Sequence, residues 1–174
     1  MNSAAVQTTR HLFLALWPDE DVQQQLLAHA GHWRWPPGCT RYAPADWHVT
    51  LHFMGEVDPN QVQDVATSAK VPFQPFELVL DQPALWPHGL AVLCASAMPM
   101  PLLGLHAQLG QALQHLGLPV ETRPYRPHLT LALRADAAIV PTAPAPVVWP
   151  VKGFALVVST GCKDQRYRVI HAYA

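Results

Sequence analysis

The same four-residue pattern occurs twice in this chain, eighty positions apart: His48-Val49-Thr50-Leu51 and His128-Leu129-Thr130-Leu131. Both copies lie in apolar runs that read as β-strands. In a strand, residues i and i+2 share a face and the residue between them points the other way. His48 and Thr50 therefore point together, about 6.6 Å apart along the strand, with Val49 and Leu51 facing the opposite side. His128 and Thr130 repeat this, with Leu129 and Leu131 behind them. A chain carrying this pattern twice must place two polar pairs on strands anchored by apolar neighbours. That favours a duplicated, pseudo-symmetric arrangement.

The flanking elements agree with two halves. Residues 10–16 read as a strand, and Pro18-Asp19-Glu20 opens a helix whose Val22, Leu26, Ala30 and Trp33 recur at helical spacing. Residues 34–46 are rich in Pro and Gly and read as a loop. The first motif strand runs from Trp47 to Met54, ended by Gly55. Asp58-Pro59-Asn60-Gln61 starts a helix that reaches Lys70. Residues 76–84 and 90–96 read as a hairpin around His88-Gly89. Leu102, Leu105, Leu109, Leu113 and Leu116 form the stripe of the clearest helix, ended by Gly117 and Pro119. Residues 126–133 form the second motif strand, 141–150 a Pro/Ala-rich connection, and 154–159 and 166–173 the closing strands. This order predicts an α+β fold of two pseudo-two-fold-related lobes. Antiparallel sheets line a central cleft, and the helices pack on the outer faces. All 174 residues are expected to form one domain, with residues 1–9 as a flexible leader.

Half the residues are hydrophobic and 13% are charged, which excludes a disordered chain. The eighteen prolines imply short elements and firm turns. No apolar run approaches the ~20 residues of a membrane span, and the first residues lack a signal peptide's apolar core. A cytoplasmic monomer is the expectation. The three cysteines, Cys39, Cys94 and Cys162, have no zinc or redox spacing and are expected to be small, buried or half-buried thiols. Net charge is −1, against a generally basic nucleic-acid binder. Its distribution is uneven: residues 1–119 carry four Lys/Arg and nine Asp/Glu, whereas residues 120–174 carry seven and three. An anionic ligand would favour the C-terminal side.

Two histidines and two hydroxyls around one small volume suit acid–base chemistry on a phosphate ester. Cleavage of a phosphodiester needs a base for the attacking oxygen and an acid for the leaving one, and histidine serves as either near neutral pH. Threonine hydroxyls can bond the non-bridging oxygens, where charge develops. The design calls for no metal and no cofactor. His52 shares the predicted face of His48 and Thr50 and is expected at the cleft rim. A His48/His52 metal pair would be separated by about 13 Å in a strand, too far for one ion. The other histidines, His11, His29, His32, His88, His106, His115 and His171, read as surface or satisfied polar residues.

Taken with its flanks, the chain resembles the 2H phosphoesterases, and among them the bacterial and archaeal RNA 2′,3′-cyclic phosphodiesterases, also called 2′-5′ RNA ligases. The resemblance spans RHLFLALWPDE, DWHVTLHFMGEV, PFELVLDQPALWP, RPYRPHLTLAL and RYRVIHAYA, nearly the whole chain. It implies that His48 protonates the leaving 3′-oxygen, His128 activates water, and Thr50 and Thr130 hold the phosphate, giving a 2′-phosphomonoester. The near symmetry of the motifs leaves the order of the two histidines open. The implied partner is RNA with a 2′,3′-cyclic phosphate end, or a cyclic nucleotide; 2′-5′ ligation, the reverse reaction, would use the same residues. A non-enzymatic RNA-binding module is the competing class.

The family commonly has Arg where this chain has Leu133, one position before Arg134. Arg134 is expected to meet the phosphate, by simple alternation or through a bulge; otherwise Arg126 substitutes or phosphate is held more weakly, and solvated surface arginines are the competing reading for both. Phe13 and Tyr125 are candidates for stacking a base, with core packing the competing role for Phe13.

Overall fold

A computed structural model describes residues 10–174; the proposed leader, residues 1–9, lies outside them. An eight-stranded antiparallel sheet forms the body of the molecule. Its main path runs β10 (Tyr167–Tyr173), β9 (Phe154–Ser159), β1 (Arg10–Leu16), β3 (Val49–Val57), β7 (His128–Leu133), β6 (Leu90–Cys94), β5 (Gln82–Trp86). The short β2 (Thr40–Arg41) also pairs with β7. A second sheet has two strands, β4 (Phe76–Leu80) and β8 (Val147–Val151). Among the described residues, three α-helices complete the fold: α1 (Glu20–Ala30), α2 (Val62–Ser68) and α3 (Met100–His115). The predicted α+β class and antiparallel pairing are what the structure shows.

The helices form where their signals lie. Asp19 caps α1, its side chain accepting from the Val22 N–H at 3.0 Å, and Glu20 and Asp21 complement the positive end of the helix. In α3 the leucine stripe buries Leu102, Leu105, Leu109 and Leu113 in the main core. Gly117 closes that helix at a φ of 73°, a conformation glycine adopts without Cβ strain. Asp58 caps a 3-10 turn over Pro59–Gln61, and α2 follows it.

Three strand expectations need correction. The run 76–84 is not one strand. It breaks at Asp81, whose side chain accepts from the Ser96 N–H and hydroxyl at 2.9 and 2.6 Å. The part before the break leaves for the second sheet, and only β5 forms the hairpin with β6. The Pro/Ala-rich connection also contains a strand. Val147, Trp149 and Val151 alternate into the core of β8, and a two-stranded sheet leaves an open edge where Pro150 costs no ladder bond. Finally, Gly55 does not end β3. It takes a φ of 68° and the strand continues to Val57. Cys39 and Cys94 are half-buried thiols as expected, whereas Cys162 is exposed.

The core lies mainly between the helices and one face of the sheet. A smaller apolar group of Phe13, Ala15, Ala155 and Val157, joined by Trp17 and Tyr167, sits on the other face. The motif side chains share that second face.

Candidate active site

The two motif strands are neighbours at the centre of the sheet, antiparallel, with Val49 opposite Leu129. These are the middle residues of the two His-x-Thr triplets. The register therefore sets His48 across from Thr130 and Thr50 across from His128. The histidines occupy one diagonal of a four-cornered array and the threonines the other. All four line a single cleft of about 210 Å³, together with Phe13, Tyr42, Phe53, Ser159 and Tyr167. That volume admits a phosphate group and little more.

Both imidazoles are fixed in the same way. His48 Nδ1 lies 2.7 Å from the Asp46 carbonyl and His128 Nδ1 lies 2.8 Å from the Arg126 carbonyl. A carbonyl only accepts, so each Nδ1 carries the proton and each Nε2 remains for chemistry. His48 sits among aromatics: Trp17 stacks on it at 5.3 Å, Phe13 is at 5.0 Å and Tyr167 meets it edge-on at 5.2 Å. Trp86 covers His128 at 4.4 Å. These rings exclude water, and burial is the main reason both histidines fall below the usual imidazole pKa. Their remaining surroundings differ. The Asp46 carbonyl and carboxylate favour protonated His48, while a charge on His128 opposes it. The Arg126 carbonyl favours protonated His128, but its guanidinium opposes it.

Strand bulges decide which further residues reach the cleft. In β3, Leu14 pairs with His52 and Ala15 with Thr50, so Leu51 is an extra residue. In β7, Ala91 pairs with Ala132 and Val92 with Thr130, making Leu131 the extra residue. Each bulge falls on the last position of its motif and inverts the alternation beyond it. His52 is consequently not a rim residue of the histidine cleft. It is 4% exposed and faces α3, with Nε2 at 2.8 Å from the His106 carbonyl and its ring 4.1 Å from the His106 ring. Gly110 makes room for it, since a Cβ there would stand 3.3 Å from the His52 ring. His48 and His52 thus lie on opposite faces and form no pair. Phe53 takes the cleft side instead and is 64% exposed.

The bulge in β7 likewise overturns the alternation that put Arg134 beside His128 and Thr130. Leu133 pairs with Thr40 at the end of the strand, and Arg134 turns outward, exposed, at a φ of 54°. Arg126 is also exposed. Its guanidinium lies 4.7 Å from the Trp86 ring and lines an outer groove rather than the histidine cleft. Phe13 is 3% exposed and packs against His48, leaving no open ring face for a base. The Tyr125 hydroxyl donates to the Thr50 carbonyl at 2.9 Å, and its ring stacks on His106 at 4.0 Å. Burial raises its phenol pKa, so the phenol stays neutral and donates. Tyr125 therefore braces the first motif strand from outside the cleft.

The outer groove measures about 880 Å³ and meets the cleft at Thr50, Phe53 and His128. Trp86, Arg123, Tyr125 and Arg126 are among its walls. Sequence reasoning missed Phe53, Tyr42, Trp86 and Tyr167. Phe53 required knowledge of the bulge, and the others come from elements whose placement only the sheet order fixes. Among the described residues, no three His, Cys, Asp or Glu side chains gather as a metal-binding group, and no helix is long and apolar enough to cross a membrane.

Comparison with known proteins gives a consistent result. Residues 18–161 match the model of the 2′-5′ RNA ligase superfamily. An RNA 2′,3′-cyclic phosphodiesterase of Escherichia coli (strain K12) is 32% identical over 143 residues, 79% of this chain and 78% of that protein. Among solved structures, E. coli LigT complexed with 3′-AMP superposes with a TM-score of 0.84 at 25% identity, covering 96% of this chain and 98% of that one. A Thermus thermophilus protein, TT0787, gives 0.74 at 28%, covering 94% and 96%.

Proposed function

The chain belongs to the 2′-5′ RNA ligase superfamily, and from that premise we propose that it hydrolyses RNA 2′,3′-cyclic phosphate ends to 2′-phosphomonoesters. The observation that carries this reading is the register of Val49 against Leu129, which gathers both histidines and both threonines around one phosphate-sized cleft.

The diagonal arrangement suits in-line displacement, in which entering and leaving oxygens stand on opposite sides of phosphorus. His128 Nε2 takes a proton from water as its oxygen attacks phosphorus. His48 Nε2–H gives a proton to the departing 3′-oxygen as the P–O3′ bond breaks. The Thr50 and Thr130 hydroxyls donate to the non-bridging oxygens as their charge grows. Proton exchange with solvent then restores both rings. The surroundings support this order of roles. The Asp46 carboxylate favours the protonated state an acid needs at His48, and the Arg126 guanidinium disfavours protonation of His128, as a base requires. Acid and base together complete the chemistry without a metal.

The adjoining groove supports an RNA substrate over a free cyclic nucleotide. It is wide enough for a nucleoside, and it carries aromatic and cationic side chains suited to bases and phosphates. The same groove has room for a strand with a 5′-hydroxyl, so 2′-5′ ligation is the second reading. The test is a short RNA with a 2′,3′-cyclic phosphate end, incubated with the protein in EDTA and followed by ³¹P NMR. A 2′-phosphate is the expected product. A 3′-phosphate would reverse the roles of the ester oxygens, and no turnover with this RNA would refute the reading.

A further inference from the structure

The histidine cleft has an electrostatic gap. Among the described residues, none of the nine that line it is Lys or Arg, yet a cyclic phosphodiester is an anion and its monoester product carries more charge. Arg126 lies over Trp86 and lines the outer groove, and Arg134 faces solvent. A third arginine, Arg166, contacts a residue of the opposite wall. The Arg166 guanidinium lies 5.0 Å from the Tyr42 ring centroid, and both Tyr42 and its neighbour Tyr167 line the cleft. We infer that Arg166 is the substrate-binding cation of this cleft, donating to the phosphate from the wall formed by Tyr42 and Tyr167. This assignment rests on the phosphodiesterase reading above and names the residue that holds its anion.

Three observations carry it. First, the position is fixed at both ends. The Tyr42 N–H donates to the Leu131 carbonyl at 2.9 Å, tying that residue's backbone to the second motif strand, and Tyr167 pairs with Ser159, another lining residue. Second, the turn bearing Arg166 is closed. The Thr160 N–H donates to the Arg166 carbonyl at 2.9 Å, and the Thr160 hydroxyl donates to the Gln165 carbonyl. Third, no carboxylate of the described residues neutralises the guanidinium. It is half-buried, so water screens it less than a fully exposed charge. It also acts on the cleft already. Burial and the neighbouring Tyr42 push the Tyr167 phenol up to about 12, and Arg166 opposes that rise. A planar fork stacked on an aromatic ring keeps N–H donors at its edge for phosphate oxygens.

The test compares Arg166→Gln and Arg166→Lys with Arg34→Gln, an exposed arginine that lines neither the cleft nor the groove. Three quantities are read: calorimetric Kd for inorganic phosphate, and KM and kcat for the cyclic-ended RNA. Arg166→Gln is expected to weaken phosphate about tenfold to a hundredfold, the range of a charge-assisted bond, with a matching rise in KM. Arg166→Lys, which keeps the charge and loses the fork, should fall between it and the native protein. Arg34→Gln should match the native protein. Native-like phosphate affinity in Arg166→Gln would overturn the assignment; if that variant does not fold, unchanged affinity in Arg166→Lys would do so. Phosphate binding needs no turnover, so loss of the phosphodiesterase reading and loss of this one are separable.

Discussion

Replacing His29 by glutamine is expected to make the fold less sensitive to acid by a calculable amount. His29 lies on α1 and is 3% exposed. Its Nε2 accepts from the Trp33 indole N–H at 3.0 Å, so the ring is neutral with its proton on Nδ1, and that Nδ1 is buried without a partner. Burial, aided by the charge of His32, lowers its pKa from 6.5 to about 4. The native state thus binds this proton less readily than the unfolded chain does. Stability is full above pH 6.5 and is lost as pH falls toward 4. Linkage gives a loss of about 2 kcal/mol at pH 5 and about 3 kcal/mol at pH 4 relative to pH 7.5. Protonation would also break the indole bond, since an imidazolium has no acceptor. Glutamine keeps a carbonyl for the indole N–H and does not titrate. Urea unfolding of both proteins at pH 7.5 and pH 5 should show the variant losing about 2 kcal/mol less between the two conditions. Parallel losses, within about 0.5 kcal/mol, would refute the argument that His29 is held neutral by burial.

Three further outcomes follow from the site. His48→Ala and His128→Ala should each lower kcat by at least ~10², the usual scale of general acid–base catalysis, and full activity in either would remove the mechanism. The profile of kcat/KM against pH should be bell-shaped. Loss of the His48 proton lowers the alkaline side and gain of a proton by His128 lowers the acid side; since both pKa values lie below 6.5, both limbs should too, and an alkaline limb above 7 would contradict the burial argument. Phe53→Ala should raise KM for RNA about fivefold or more, given ~1–3 kcal/mol for stacking a base, with little change in folding because the ring is 64% exposed.

The four motif residues were legible because their grouping on a face is local. His48 and Thr50, or His128 and Thr130, point together in any strand, and alternating Val and Leu identify the strand. The α3 stripe and the Asp19 cap were legible for the same reason. His52 and Arg134 were misplaced because alternation was carried past Leu51 and Leu131, where each strand takes an extra residue. A bulge depends on which residues of the partner strand, here Leu14 and Ala15 or Ala91 and Val92, fit opposite. Strand β8 showed its period of two in Val147, Trp149 and Val151, but the prolines around them obscured it. Its partner β4 lies about seventy positions earlier.

The amino-acid sequence by itself determined the chemistry available: two histidines and two hydroxyls on strands, in an α+β chain with a cationic C-terminal part. It did so because strand periodicity and helix capping act over a few residues. The tertiary structure decided that Val49 meets Leu129, that Phe53 rather than His52 reaches the cleft, and that Arg134 leaves while Arg166 lies over Tyr42. Those outcomes depend on register, bulges and sheet order, which arise from packing between segments far apart in the chain.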